Sequence, residues 1–207
     1  MLDSVTFNFF FGRVEGFFIQ KIVLFHLWYD LFTMIDIHPI SVHFPIALLT
    51  VYTIVQLIPP RITWRVSQIF FLNCFLLLTG SFGILVARQL GDELEGTHRE
   101  VAQLVQTHSQ WATMSTALYG TLTVIYVFLI LKKVEQNPQT PSIVRTIANV
   151  SQPISSLAKF LFDYYIVTFI AILGLIFITI TGALGGAIVY GPDADPMVSF
   201  VTSWLVR

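Results

Sequence analysis

Residues 165–189 read YIVTFIAILGLIFITITGALGGAIV and contain no Asp, Glu, Lys or Arg. A hydrocarbon core about 30 Å thick is crossed by about 20 apolar residues wound as a helix. This run meets that demand, and Tyr164-Tyr165 and Tyr190 flank it as aromatic anchors for the two interfaces. Working outward, three further stretches, 40–58, 66–88 and 110–131, satisfy the same criterion. The first closes before Pro59-Pro60, where successive prolines remove donors and clash with the preceding turn. The second passes Gly80 and Gly83 to Ala87, and the third begins after Gln110 and stops at Lys132-Lys133, charges suited to a headgroup boundary. The expected fold is all-α: an integral membrane four-helix bundle over 37–191 and a short C-terminal tail over 192–207.

Composition agrees with a chain made for lipid. Its 207 residues have a mean hydropathy of +0.76 and only 11% charged residues, too few to clothe a soluble domain of this size. The formal net charge of −1 conceals no basic tract with interleaved aromatics, so nucleic acid is excluded as a partner and membrane lipids take its place. Cys74, the single cysteine, lies inside an apolar run and reads as packing at lipid depth. The N-terminal stretch carries Arg13, Glu15 and Lys21 and no small-residue cleavage site, so it does not read as a signal peptide.

Residues 1–36 mix Phe9, Phe10, Phe11, Phe17, Phe18, Phe25 and Trp28 with Arg13, Glu15, Lys21, His26 and Asp30. No uncharged run there reaches spanning length; the pattern predicts an extra N-terminal interfacial amphipathic helix, with a strained fifth span as the alternative. The longest polar stretch, 132–163, holds Pro138, Pro141 and Pro153 and predicts a short surface helix around 143–162.

Orientation follows from the Lys and Arg of the short connections, which resist translocation. Arg61, Arg65, Lys132, Lys133, Arg145 and Lys159 fall on one side, expected to be cytoplasmic in a bacterial inner or thylakoid-type membrane. Arg88 and Arg99 fall on the other beside Asp92, Glu93, Glu95 and Glu100, with Asp193 and Asp195 behind. That acidic side is expected to face the periplasm or a lumen.

Antiparallel spans also place His38, His43, His98 and His108 on the acidic side, and an interfacial His26 joins them there. A single imidazole near an interface commonly donates to a carbonyl or to water; four on one side suggest a site. His43 lies between Pro39 and Pro45, and Pro45 lacks the donor for the Ser41 carbonyl, which predicts a bend. His43 and His108, one on each of two spans, are the candidate ligands for a haem iron held from both sides, with His38 and His98 nearby. Gly83, Gly185 and Gly186 are candidates for the space a macrocycle requires, although small-residue stripes serve close helix packing equally well. The rival is a compact metal such as zinc or copper, with Asp92 or Glu93 completing the set; no two histidines stand three or four apart to favour it.

The stretch His38-Pro-Ile-Ser-Val-His43-Phe-Pro-Ile-Ala47-Leu resembles the opening signature of a bacterial membrane family, domain of unknown function 2231. Thr107-His108-Ser-Gln-Trp-Ala112 is similar to that family's entrance to its third span, and Gly182-Ala-Leu-Gly185-Gly186-Ala-Ile-Val-Tyr190-Gly191 to its close. The resemblance covers about 36–191. It implies four spans and a b-type haem or redox partnership. Ser109 departs from the pattern, where an acidic neighbour is usual, so a carboxylate orienting His108 would come from Asp92, Glu93 or Glu100.

The function expected is that of a membrane b-type cytochrome-like protein, passing electrons near the outer face to or from a quinone. A non-catalytic accessory or assembly subunit of a respiratory complex, with the histidines handling copper or another metal, is the alternative. No span centre carries an acid or base, which argues against a transporter or channel. Ser41 and Ser109 suit helix starts rather than a hydrolase triad.

Overall fold

The computed structural model describes residues 37–92, 102–136 and 140–205. The expectations for 1–36, His26, Glu93 and Glu95, His98 and Glu100 lie outside those residues. The chain divides into two compact units, Met1–Ile40 and Ser41–Arg207. The second contains all the described helices apart from the first turn of the one that begins at Ile37.

Among the described residues there are eight helices and no strand: α1 (Ile37–Gln56), α2 (Pro60–Arg65), α3 (Ser67–Asp92), α4 (Ala102–Glu135), α5 (Ser142–Val150), α6 (Gln152–Asp163), α7 (Ile166–Tyr190) and α8 (Pro196–Leu205). Three of them, α3, α4 and α7, are long and apolar enough to cross a membrane. Only a third of the residues in each of their apolar windows is buried inside the protein. The remaining surface carries Phe71, Phe75, Phe82, Val124, Phe169 and Ile176, all exposed, which a hydrocarbon solvent accommodates and water does not. The apolar part of α1, Val42–Gln56, is shorter than a span by itself.

Helix ends follow local chemistry. Pro59 precedes α2 and Pro60 opens it, since the first helical position has no use for its missing donor. Pro153 in the first turn of α6 does the same, so the single surface helix expected around 143–162 is in fact two, separated at Ser151. Tyr165, with φ 61°, turns the chain sharply from α6 into α7. Gly191, with φ 94°, closes α7 and donates its N–H to the Ala187 carbonyl at 2.9 Å. The segment 192–207 is more than a tail: Asp195 Oδ1 accepts from the N–H groups of Met197 and Val198 at 2.8 and 2.9 Å and so caps α8. Val198 and Val201 of α8 then pack with Leu104, Ala183, Leu184 and Ala187 in a satellite core.

The pairings among α1, α3, α4 and α7 show that successive long helices run in opposite directions. At one end Gln56, the last residue of α1, meets Asn73 in the early part of α3, Tyr126 late in α4 and Thr168 in the first turn of α7. At the other end Pro45 meets Gly83, Ile46 meets Gly182, and His108 meets Thr181. Between these ends the main core is built from Leu49, Tyr52, Leu77, Tyr119 and Leu122, and Phe70 continues it past the level of Gln56. The pairing of α4 with α7 is the most extensive in the protein. With 34 residues, α4 is about 50 Å long, well beyond the hydrocarbon thickness, so its polar first turns project past the core on the histidine side.

Candidate functional site

His108 lies about two turns into α4 and is half-buried against α7. Its Nδ1 stands 3.0 Å from the carbonyl oxygen of Thr181. A carbonyl only accepts, so Nδ1 carries the proton in this contact. Gly185 makes the approach feasible: a Cβ there would lie 3.3 Å from His108 Cε1. One helical turn on, Trp111 meets Phe177 edge to face, with ring centroids 5.0 Å apart. Ser115 Oγ lies 3.3 Å from Thr181 Oγ1, yet each hydroxyl already donates to the carbonyl four residues back, to Trp111 at 2.9 Å and to Phe177 at 2.8 Å. Together these three layers lock α4 onto α7 around the imidazole.

His43, the other candidate axial ligand, is exposed on α1. It stands one turn before Ile46, which packs on Gly182, while Gly185, which receives His108, stands one turn after Gly182 on the oppositely running α7. His43 and His108 are thus at the same end of their helices. His38 lies in the first turn of α1, which begins at Ile37, and Pro39 is its third helical residue. The glycines face neighbouring side chains. Gly83 lies against the Pro45 ring, with 3.0 Å from a would-be Cβ to Pro45 Cβ; Gly185 faces the His108 ring itself, and Gly186 faces Val198 at 3.5 Å. Pro45 is buried there and α1 continues through it. Among the described residues no three His, Cys, Asp or Glu side chains converge as a metal site.

A second polar constellation is one that sequence reasoning missed. Gln56 is fully buried, and its Oε1 accepts from Asn73 Nδ2 at 3.2 Å and from the Tyr126 hydroxyl. Its Nε2 donates to Thr168 Oγ1 at 3.3 Å, and Thr168 Oγ1 in turn donates to the Gln56 carbonyl at 3.3 Å. Thr53 adds a contact from its hydroxyl to the Ala171 carbonyl at 3.4 Å. One amide therefore ties four helices together where no water competes. Tyr52 and Tyr126 pack edge to face at 5.9 Å beside it, and the Tyr52 hydroxyl and Asn73 Oδ1 are buried with no hydrogen-bond partner among the described residues. The signal was present, since Gln56 and Asn73 are amides inside apolar runs and must find partners in lipid.

Beyond this cluster, at the same end, sit Arg61, Arg65, Lys132, Lys133, Arg145 and Lys159. Lys133 Nζ donates to the Trp64 carbonyl at 2.6 Å and so satisfies the C-terminal end of α2. Lys159 pairs with Asp163, and Lys132 with Glu135 at 3.7 Å.

Comparison with family models, with characterised proteins and with solved structures finds no match to this chain.

Proposed function

We propose that this is an integral membrane protein of four antiparallel spans in which His108 serves as a haem b ligand near the acidic face, with His43 as the second axial imidazole. The observation that carries the reading is the contact of His108 Nδ1 with the Thr181 carbonyl at 3.0 Å. Metal-ligating histidines characteristically give their other ring N–H to a backbone carbonyl, which fixes both tautomer and ring plane. The packing of α1 along α3 and α7 from Pro45 to Gln56 supports a fourth span. The basic end, with Arg61, Arg65, Lys132 and Lys133, supports a cytoplasmic assignment for that side.

The imidazole fits a haem ligand; the glycines do not fit as a cradle. Gly83, Gly185 and Gly186 are each covered by a side chain of the protein, which takes the space a macrocycle would need beside them. Bound haem iron supplies a one-electron couple, for which a quinone is the natural membrane-soluble partner. What the chain itself contributes is the His108 imidazole, oriented by the Thr181 carbonyl and by the Trp111–Phe177 layer behind it. Protein purified from haem-replete cells should show a Soret band and a sharp α band on dithionite reduction, both abolished in His108→Ala. A colourless wild-type preparation would sink the reading.

The covered glycines favour a second reading, a non-catalytic accessory or assembly subunit of a respiratory complex, in which they serve helix packing alone. That reading expects recovery in a larger complex after gentle solubilisation, without haem in the isolated chain.

A further inference from the structure

We propose that the surface formed by α2, the end of α4 and α6 binds the phosphate of an anionic phospholipid, with Lys133 and Lys159 as the cations that hold it. The inference rests on the integral-membrane reading and goes beyond it by assigning a ligand to particular side chains.

The first observation is the convergence of two ammonium groups on one indole. Lys133 Nζ lies 4.8 Å and Lys159 Nζ 4.6 Å from the ring centroid of Trp64, and they reach it from different helices, α4 and α6. Lys133 also lies 4.9 Å from the Phe70 ring and Lys159 5.9 Å from that of Phe162. A π face attracts each cation, but two like charges drawn to the same ring repel one another, and a nearby anion relieves that repulsion. Lys133 has a neutral carbonyl as its hydrogen-bond acceptor and Lys159 has the Asp163 carboxylate, so among the described residues one carboxylate faces the two ammonium groups at Trp64.

The second observation names the source of the anion. Helices α5 and α6 bury Ala148, Ser155, Ala158 and Phe162 and leave Ile143, Ile147, Val150, Ile154, Leu157 and Phe160 exposed. The exposed apolar residues recur at helical spacing, which makes the pair amphipathic, with the apolar face turned away from the protein. Such a face sits at the boundary of acyl chains and headgroups. Lys159, on the same helix, is then level with the headgroups, where Lys133 at the end of α4 already stands. A soluble anion matches the lysines and a protein groove matches the apolar face; a leaflet containing acidic lipid matches both at once. Basic residues at a membrane surface are attracted by such lipid.

The test uses the full-length protein in a mild zwitterionic detergent. Its thermal midpoint is followed on adding phosphatidylglycerol, phosphatidylcholine with the same acyl chains, or inorganic phosphate. Phosphatidylglycerol should raise the midpoint by about 3 °C more than phosphatidylcholine, as expected for about 1 kcal/mol of binding to the native state of a chain this size. Inorganic phosphate should leave it unchanged. Lys133→Gln/Lys159→Gln should lose the increment. Because Lys133 also satisfies the Trp64 carbonyl, Lys159→Gln alone is the second variant, and it should lose about half. An equal response to the zwitterionic lipid overturns the proposal, as does a shift reproduced by inorganic phosphate or a full increment retained by both variants. Extraction of membranes with alkaline carbonate separates this from the premise: release of the chain defeats the integral-membrane reading, whereas retention without a lipid preference defeats only the headgroup site.

Discussion

The ring of Pro45 on α1 rests directly on Gly83 of α3, so that a side chain at Gly83 would begin 3.0 Å from Pro45 Cβ. Both contact partners are stiff, the proline ring on one side and helical backbone on the other. Gly83→Val should therefore destabilise the protein by about 1–3 kcal/mol through overpacking. Gly120 is the control. Nothing lies within 4 Å of a Cβ built there, so Gly120→Ala should be neutral or stabilising by up to about 1 kcal/mol from helix propensity. Equilibrium unfolding in mixed micelles measures both, and equal effects at the two positions would refute the assignment of Gly83 to packing.

Gln56 holds Asn73, Tyr126 and Thr168 together through one side chain, and its removal leaves several buried groups without partners at once. Gln56→Leu should cost about 1–3 kcal/mol. Asn73→Leu/Gln56→Leu should cost less than the sum of the single changes, because the second substitution removes a group the first has already orphaned. Additivity in the double-mutant cycle would show that the two amides are not coupled.

The apolar character of 66–88, 110–131 and 165–189 was legible because a span requires uncharged length and nothing tertiary: α3 and α7 start one residue later than expected, and α4 contains 110–131 but starts eight residues before it. The glycines were ambiguous for a physical reason: a residue without a Cβ admits a cofactor and a neighbouring helix equally, and only the position of Pro45, Val198 and the His108 ring shows which neighbour fills each gap. The His108–Thr181 contact was out of reach, since a backbone acceptor leaves no mark in side-chain identity. Helix α8 was overlooked although Asp195-Pro196 carries a cap followed by a first-turn proline, because a run that ends so soon after α7 reads as a tail.

Asp195 therefore offers a direct check on α8. Its carboxylate accepts two backbone N–H groups at the helix start, and Asp195→Ala should destabilise α8 by about 1 kcal/mol. Hydrogen exchange should quicken across residues 197–205 and stay unchanged in α3, which contributes no residue to the core around Val198 and Val201. Asp195→Asn should retain most of the protection, since its amide oxygen is still an acceptor.

Gly185 governs the imidazole most directly. The ring of His108 occupies the place where a side chain at Gly185 would stand, with 3.3 Å from that Cβ to Cε1, and Nδ1 bonds the carbonyl one turn earlier on the same helix. Gly185→Ala should push the ring outward and lengthen the contact with Thr181, and Gly185→Val should break it. Nitrogen-15 NMR of ring-labelled protein reads the result without reference to any cofactor. Wild-type His108 should show a protonated Nδ1, while Gly185→Val should move towards an exchanging mixture of tautomers. If His108 also ligates haem, the same variant should broaden and shift the reduced Soret band, because the orientation of the axial imidazole is lost together with its anchor. A wild-type spectrum with the proton on Nε2 would remove the basis for treating His108 as a ligand, whatever the colour of the protein.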